Sequence, residues 1–307
     1  MKVTSIPVGA LVPVLSMLSK FTEANVLGLA HLWFDGTTAR ASAGTSGAIA
    51  EVQWSVPEPI ALPAARLLSV VSSLHAQGRE TLTVELRGAS CSIASGTFRA
   101  SIPKYSPGEG DDLSSYFLRP TPGAARVALA PGWWDALDRV SFSVCGDETR
   151  GPMCGVLWSG DGSLWSTDGR RISVVRPGES TSSPGGKDVV VPNHLLARLG
   201  GRRRDVVGAC LEGDTTLWFF FADGSSVYGQ LYADAFPDTA SLLERVGASA
   251  GGGTSVTLRE PDVGGIFGRL LGFTAGPTYP VRVDVGGDSV RFSVSGETGE
   301  AEETVPA

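Results

Sequence analysis

The stretch PAARLLSVVSSL (63–74), continued after a short break by TLTVELRGASCSIASGTFRASIPKYSP (81–107), places two hydrophobic periods side by side. In the first, leucine and valine recur on one face of a short helix that opens at a proline. In the second, apolar residues alternate and the alternation breaks at glycine turns. Together they read as one helix followed by a small antiparallel sheet.

The helix pattern occurs five times, opening at Pro7 (PVGALVPVLSML), Pro63, Pro131 (PGWWDALDRVSF), Pro192 (PNHLLARLGG) and Pro261 (PDVGGIFGRLLGF). The prolines lie about 56, 68, 61 and 69 residues apart. Proline suits the first helical position, where its missing N–H would have no partner in any case. Each helix is followed by alternating segments, so the repeating unit is one helix plus antiparallel strands. The odd-numbered units share turns at FDGTTARAS (34–42), SGDGSLWSTDG (159–169) and VGGDSVRFSV (285–294). The even-numbered units share a different ending, seen at 81–107 and again in GDTTLWFFFADGSSVYGQLYADAFPD (213–238). Two units therefore make one α+β domain. The expected domains are 1–121, 125–246 and 253–307, the last following the glycine-rich ASAGGGTS (248–255). A sixth helix falls due near residue 320, so the third domain is expected to hold only its first half. The alternative is that the five helices belong to unrelated α+β domains.

Composition agrees with a strand-rich globular chain: 307 residues, 42% hydrophobic and 19% charged, with 40 glycines and 19 prolines scattered among short runs. The net charge of −7 means that nucleic-acid binding would require basic residues gathered on one face. Cys91, Cys145, Cys154 and Cys210 form no close pair, and His31, His75 and His194 lie near none of them, which argues against structural zinc. The N-terminal MKVTSIPVGALVPVLSMLSK lacks the unbroken apolar core of a signal peptide, and no run reaches the length of a membrane span. A cytoplasmic protein with reduced thiols is expected.

DETRGPMCGVLWSGDGSLWSTDGRRISVVR (147–176) resembles the middle-domain signature of the bacterial DNA polymerase III β subunit, the β sliding clamp family. Asp147, Arg150, Gly155, Thr167, Asp168, Gly169 and Arg171 fill the places of the motif, and Arg170 stands where histidine is usual. LYADAFPDTASLL (231–243) and VRFSVSGETGEAEETV (290–305) resemble later segments of that family, and 61–103 matches more loosely. The resemblance implies the DNA-clamp fold, with domains closing head to tail in a homodimeric ring that holds helices inside and sheets outside. It implies a processivity factor that encircles duplex DNA without reading sequence and tethers DNA polymerase, clamp loader and repair proteins. It implies no cofactor, no metal and no catalysis.

Three sets of residues follow. Lys20, Arg66, Arg139, Arg198 and Arg269 lie on or at the end of the five helices, and Arg202, Arg203 and Arg204 follow the fourth. These are candidate phosphate contacts, or else ordinary solvated helix residues; Asp135 and Asp138 weaken the case at Arg139. By resemblance, a cleft for partner peptides would use Met153, Thr167, Gly169, Arg170, Arg171, Ile172, Pro237 and Leu242, whose apolar members are alternatively core. By resemblance again, Phe98 of one chain would meet Leu270 and Phe273 of the other across the ring interface, though both phenylalanines suit a core equally. Trp133, Trp134 and the run Trp218–Phe221 invite base stacking but fit core packing better. Asp147, Glu148 and Asp168 have no metal-site spacing, and neither a nucleophile elbow nor a phosphate loop is present. A clamp-like adaptor that does not close a ring is the rival reading.

Overall fold

The computed structural model describes residues 3–22, 31–43, 45–106, 118–176, 181–239, 241, 243–244, 256–273, 280–296 and 299–306. The chain divides into two compact units, Met1–Pro237 and Asp238–Ala307.

Unit 1 begins with β1 (Val3–Pro7), α1 (Val8–Ser19), β2 (His31–Ala43), β3 (Ser46–Pro63), α2 (Ala64–Ala76), β4 (Thr81–Arg87), β5 (Ser90–Ser95) and β6 (Phe98–Pro103). It continues with β7 (Val127–Ala128), α3 (Trp133–Ser141), β8 (Gly155–Trp158), β9 (Leu164–Thr167), β10 (Ile172–Val175), β11 (Val189–Pro192), α4 (Asn193–Leu199), β12 (Val206–Glu212), β13 (Thr216–Phe221) and β14 (Ser226–Gln230). The sheets run β1-β4-β5-β6, β10-β9-β8-β11 and β2-β3-β14-β13-β12-β7. Every pairing is antiparallel, as the alternating runs and glycine turns require.

The helices form because their apolar residues fall on one face. Leu67, Val71 and Leu74 of α2 are buried at three- and four-residue spacing, and α1 buries Leu11, Val14, Leu15 and Leu18 in the same way. Three of the five prolines act one step earlier than the first helical position, and Pro131 lies two residues ahead of α3, whose N-cap is Gly132. Pro7, Pro63 and Pro192 are N-cap residues in extended conformation and end the strands before their helices. A proline φ near −60° fits an extended residue as well as a helical one, and the fixed angle then sets the corner between strand and helix. Only the Pro261 helix carries its proline inside the first turn.

One core serves both halves of unit 1. Trp133, Trp158 and Phe219 are fully enclosed at its centre, with the Trp133 ring centroid 4.8 Å from that of Trp158. The aromatic run of β13 is buried on both faces: Leu217, Phe219 and Phe221 join the main core. Trp218 and Phe220 lie with Tyr228 in a second cluster, covered in part by Ala124 and by the Arg126 guanidinium 3.7 Å above the Phe220 ring. Trp133, Trp134 and this run are therefore core, not stacking platforms. The break expected between 121 and 125 lies within unit 1, where β3 pairs with β14 in one continuous sheet. There the Tyr228 ring packs so closely over Gly47 that a Cβ at residue 47 would lie 2.6 Å from it.

Unit 2 holds α5 (Glu260–Leu271) and a three-stranded sheet of β15 (Arg282–Gly286), β16 (Ser289–Gly296) and β17 (Gly299–Pro306), in that order. Ile266, Leu270, Val290, Phe292 and Val294 make its core.

Candidate functional site

The cations singled out on the helices do not form one free basic field. Lys20, Arg66 and Arg139 are exposed and have no ion pair among the described residues. Lys20, just past α1, reaches across to α4, where its Nζ occupies the space beside Gly200. Gly200 caps α4 with φ +55°, a conformation that favours glycine, and its bare backbone admits the lysine.

Arg198 turns inward instead, donating to Ser46 Oγ and, at 3.4 Å, to Ala43 O, with its guanidinium 5.6 Å from the Phe21 ring centroid. Arg202, only 18% exposed, bonds Asp223 at 2.6 Å and lies over Phe221. Arg203 meets Asp138 and Arg204 meets Asp135, each at 2.8 Å. The tract 202–204 is thus matched, cation for carboxylate, by side chains from α3 and from the β13–β14 turn. In unit 2, Arg269 is held by Glu303 at 2.5 Å. Exposed pairs of this kind are worth about 0–1 kcal/mol, so a phosphate can exchange for the carboxylate.

The second candidate region is built around the β9–β10 turn. Asp168 Oδ1 accepts from the amides of Arg170 and Arg171 at 2.9 and 3.0 Å, and Oδ2 accepts from Arg171 Nε at 3.0 Å. Those amide bonds, led by that of Arg170, hold the Asp168 carboxyl below its ordinary range. Thr167 Oγ1 donates to Arg171 O at 2.8 Å and accepts from Gly169 N at 3.0 Å, closing the turn from inside. Gly169 has φ +85°, and the Met153 methyl would lie 3.3 Å from a Cβ placed there. Arg150 donates to Asp168 O at 3.2 Å. Arg150 and Met153 lie in the 3-10 segment Glu148–Cys154, which Asp147 caps through Thr149.

The structure thus brings together Arg150, Met153, Thr167, Asp168, Gly169, Arg170 and Arg171. Ile172 begins β10 half-buried, and Pro237 is exposed as the last residue of unit 1. Leu242 lies outside the described residues. Phe142, 62% exposed with the Arg171 guanidinium 5.3 Å from its ring, belongs to this surface and was missed in the sequence. It ends the apolar face of α3, and periodicity assigns such a residue to the core.

Of the three interface candidates, Phe98 and Phe273 are exposed at 37% and 43%, whereas Leu270 is 2% exposed. The Leu270 side chain is occupied by its own unit's core and offers no contact surface. Among the described residues no group of His, Cys, Asp and Glu could hold a metal ion, and no helix is long and apolar enough to cross a membrane.

Helices backed by antiparallel sheets, in repeated halves, define the DNA-clamp fold, and solved structures agree. The DNA polymerase III β subunit of Pseudomonas aeruginosa superposes with TM-score 0.77 at 18% identity, covering 99% of this chain and 84% of that one. The sliding clamp of Caulobacter crescentus gives 0.78 at 18% identity, over 100% and 84%. The β subunit of Thermotoga maritima gives 0.77 at 14%, over 99% and 83%. No protein-family model and no curated protein matches the sequence.

Proposed function

We propose that this chain is a DNA sliding clamp, a non-enzymatic processivity factor of the cytoplasm that encircles duplex DNA as a homodimeric ring. It would tether DNA polymerase, clamp loader and repair proteins through short peptides. The observation that carries this reading is the clamp fold, matched over 99–100% of the chain. In this reading 1–121, 125–246 and 253–307 are the clamp domains. Lys20, Arg66 and Arg139 supply the free positive charge toward DNA. Arg198, Arg202, Arg203, Arg204 and Arg269 contribute only as their present partners release them. The β9–β10 turn with Met153, Thr167, Gly169, Arg170, Arg171, Ile172 and Pro237 is the peptide-binding region, and Phe98 and Phe273 are contacts between chains.

Phosphate contacts without base readout give binding that ignores sequence and weakens with salt. Three free cations per chain, six in the homodimeric ring, correspond to a slope of log K against log salt of about −5. Binding to unrelated duplexes should show equal affinity and such a slope, and K20E/R66E/R139E should remove most of it. A chain that binds no duplex at low salt contradicts the clamp. The second reading, a clamp-like adaptor that works without encircling DNA, is favoured by one observation: the carboxylates already seated on Arg202, Arg203 and Arg204.

A further inference from the structure

The four cysteines are all free thiols, and the fold sorts them into two kinds. Cys91 and Cys210 are fully enclosed, and burial pushes their thiols up to about 12 and about 11. The thiolate is the nucleophile, so a thiol held in that way is inert.

Cys145 and Cys154 flank the 3-10 segment Glu148–Cys154 and converge on one backbone oxygen. Cys154 Sγ donates to Asp147 O at 2.9 Å, and Cys145 Sγ lies 3.9 Å from the same oxygen. Asp147 N in turn donates to Cys145 Sγ at 3.5 Å. The backbones are tied beside the sulfurs, since Cys145 N donates to Met153 O at 2.9 Å. The thiols also interact directly: burial first, and then the Cys145 thiol, push the Cys154 thiol up. Cys145 is half-buried and Cys154 is 7% exposed, so a reagent from solvent meets Cys145 first.

We infer that Cys145 and Cys154 are a reversible dithiol–disulfide pair, oxidised by low-molecular-weight disulfides, at the foot of the segment that carries Arg150 and Met153. A disulfide needs Cα atoms roughly 4.4–6.8 Å apart, and the backbone bond from Cys145 to Met153 brings the two stretches of chain together at that scale. In the first step the Cys145 thiolate attacks one sulfur of the oxidant and expels one thiolate. The Cys154 thiol then gives up its proton to water and attacks Cys145 Sγ, which expels the second. Two protein thiols are oxidised, one small disulfide is reduced, and the two protons end on the two leaving thiolates. Closing the pair removes the S–H that Cys154 donates to Asp147 O, while Arg150 N still donates to that oxygen at 3.0 Å. The turn keeps that bond and gains a covalent one beside Met153. In a reducing compartment such a pair is open at rest and closes transiently, as a sensor does. The inference rests on the placement of the sulfurs and holds whether or not the chain encircles DNA.

The test is exchange of the purified full chain with glutathione disulfide, then alkylation of the remaining thiols and peptide mapping by mass spectrometry. The expected product is a Cys145–Cys154 cross-link within one chain, opened by dithiothreitol, with Cys91 and Cys210 alkylated only after unfolding. C154S, whose hydroxyl still donates to Asp147 O, should stop at a mixed disulfide of Cys145 with glutathione, and C145S should react far more slowly. In methyl-labelled protein, closure should move the Met153 resonance and leave that of Met17, buried in α1, in place. Thiols that stay free in excess oxidant, glutathione held on Cys145 of the parent chain without a cross-link, or a cross-link only between two chains overturns the inference. A cross-link that forms only once the Met17 resonance has moved comes from an unfolded chain and overturns it equally.

Discussion

Asp147 shows how one residue shapes the candidate peptide surface. Its carboxylate accepts from Thr149 Oγ1 at 2.7 Å and from Thr149 N at 3.1 Å, which starts the 3-10 turn that delivers Arg150 and Met153 to Gly169. The hydroxyl bond is the main cause of a carboxyl held below its ordinary range. A depressed folded-state value stabilises the fold above the unfolded-state pKa, and the contribution disappears as pH falls through the folded value. T149V should therefore move the Asp147 titration upward in carbon-detected NMR. Its stability deficit against the parent should be present at neutral pH and vanish in acid. A deficit that persists in acid would mean that the turn owes nothing to the ionised carboxylate. The same scale separates Leu270 from Phe273: both are apolar near the end of one helix, and only three-dimensional packing makes the first core and the second surface.

At the scale of elements, helices and hairpins were legible because they depend on near neighbours. The period of Leu67, Val71 and Leu74 and the turns at Gly88 and Gly96 lie within a few residues of what they organise. The corner prolines were assigned one position late, since the same fixed φ serves an N-cap and a first helical residue. The charge balance of the arginine tract was not legible at all. Arg203 and Asp138 are 65 residues apart in sequence, Arg204 and Asp135 are 69 apart, and only the packing of α3 beside the segment after α4 brings them together. Those pairs lead to a prediction about the surface. D135N/D138N should leave thermal stability nearly unchanged, since exposed ion pairs contribute little. It should steepen the salt dependence of duplex binding by the homodimeric ring by about 4, one for each of the two arginines released in each chain. An unchanged slope would place the arginine tract away from DNA.

At the scale of the whole molecule, the repeat of helix and sheet and the clamp fold were legible, since order and spacing survive where identity is only 14–19%. How the sheet runs through from β3 to β14 was not, because an edge strand's partner is set by a distant segment. A ring clamp, as proposed for this chain, would hold DNA by enclosing it, so its retention would depend on whether the DNA has ends. The most direct measurement is retention of the purified chain on nicked circular plasmid, followed by gel filtration in moderate salt, before and after a single cut linearises the plasmid. Co-elution with the circle and loss from the linear form is the predicted result. Equal retention on both, or on neither, would contradict it.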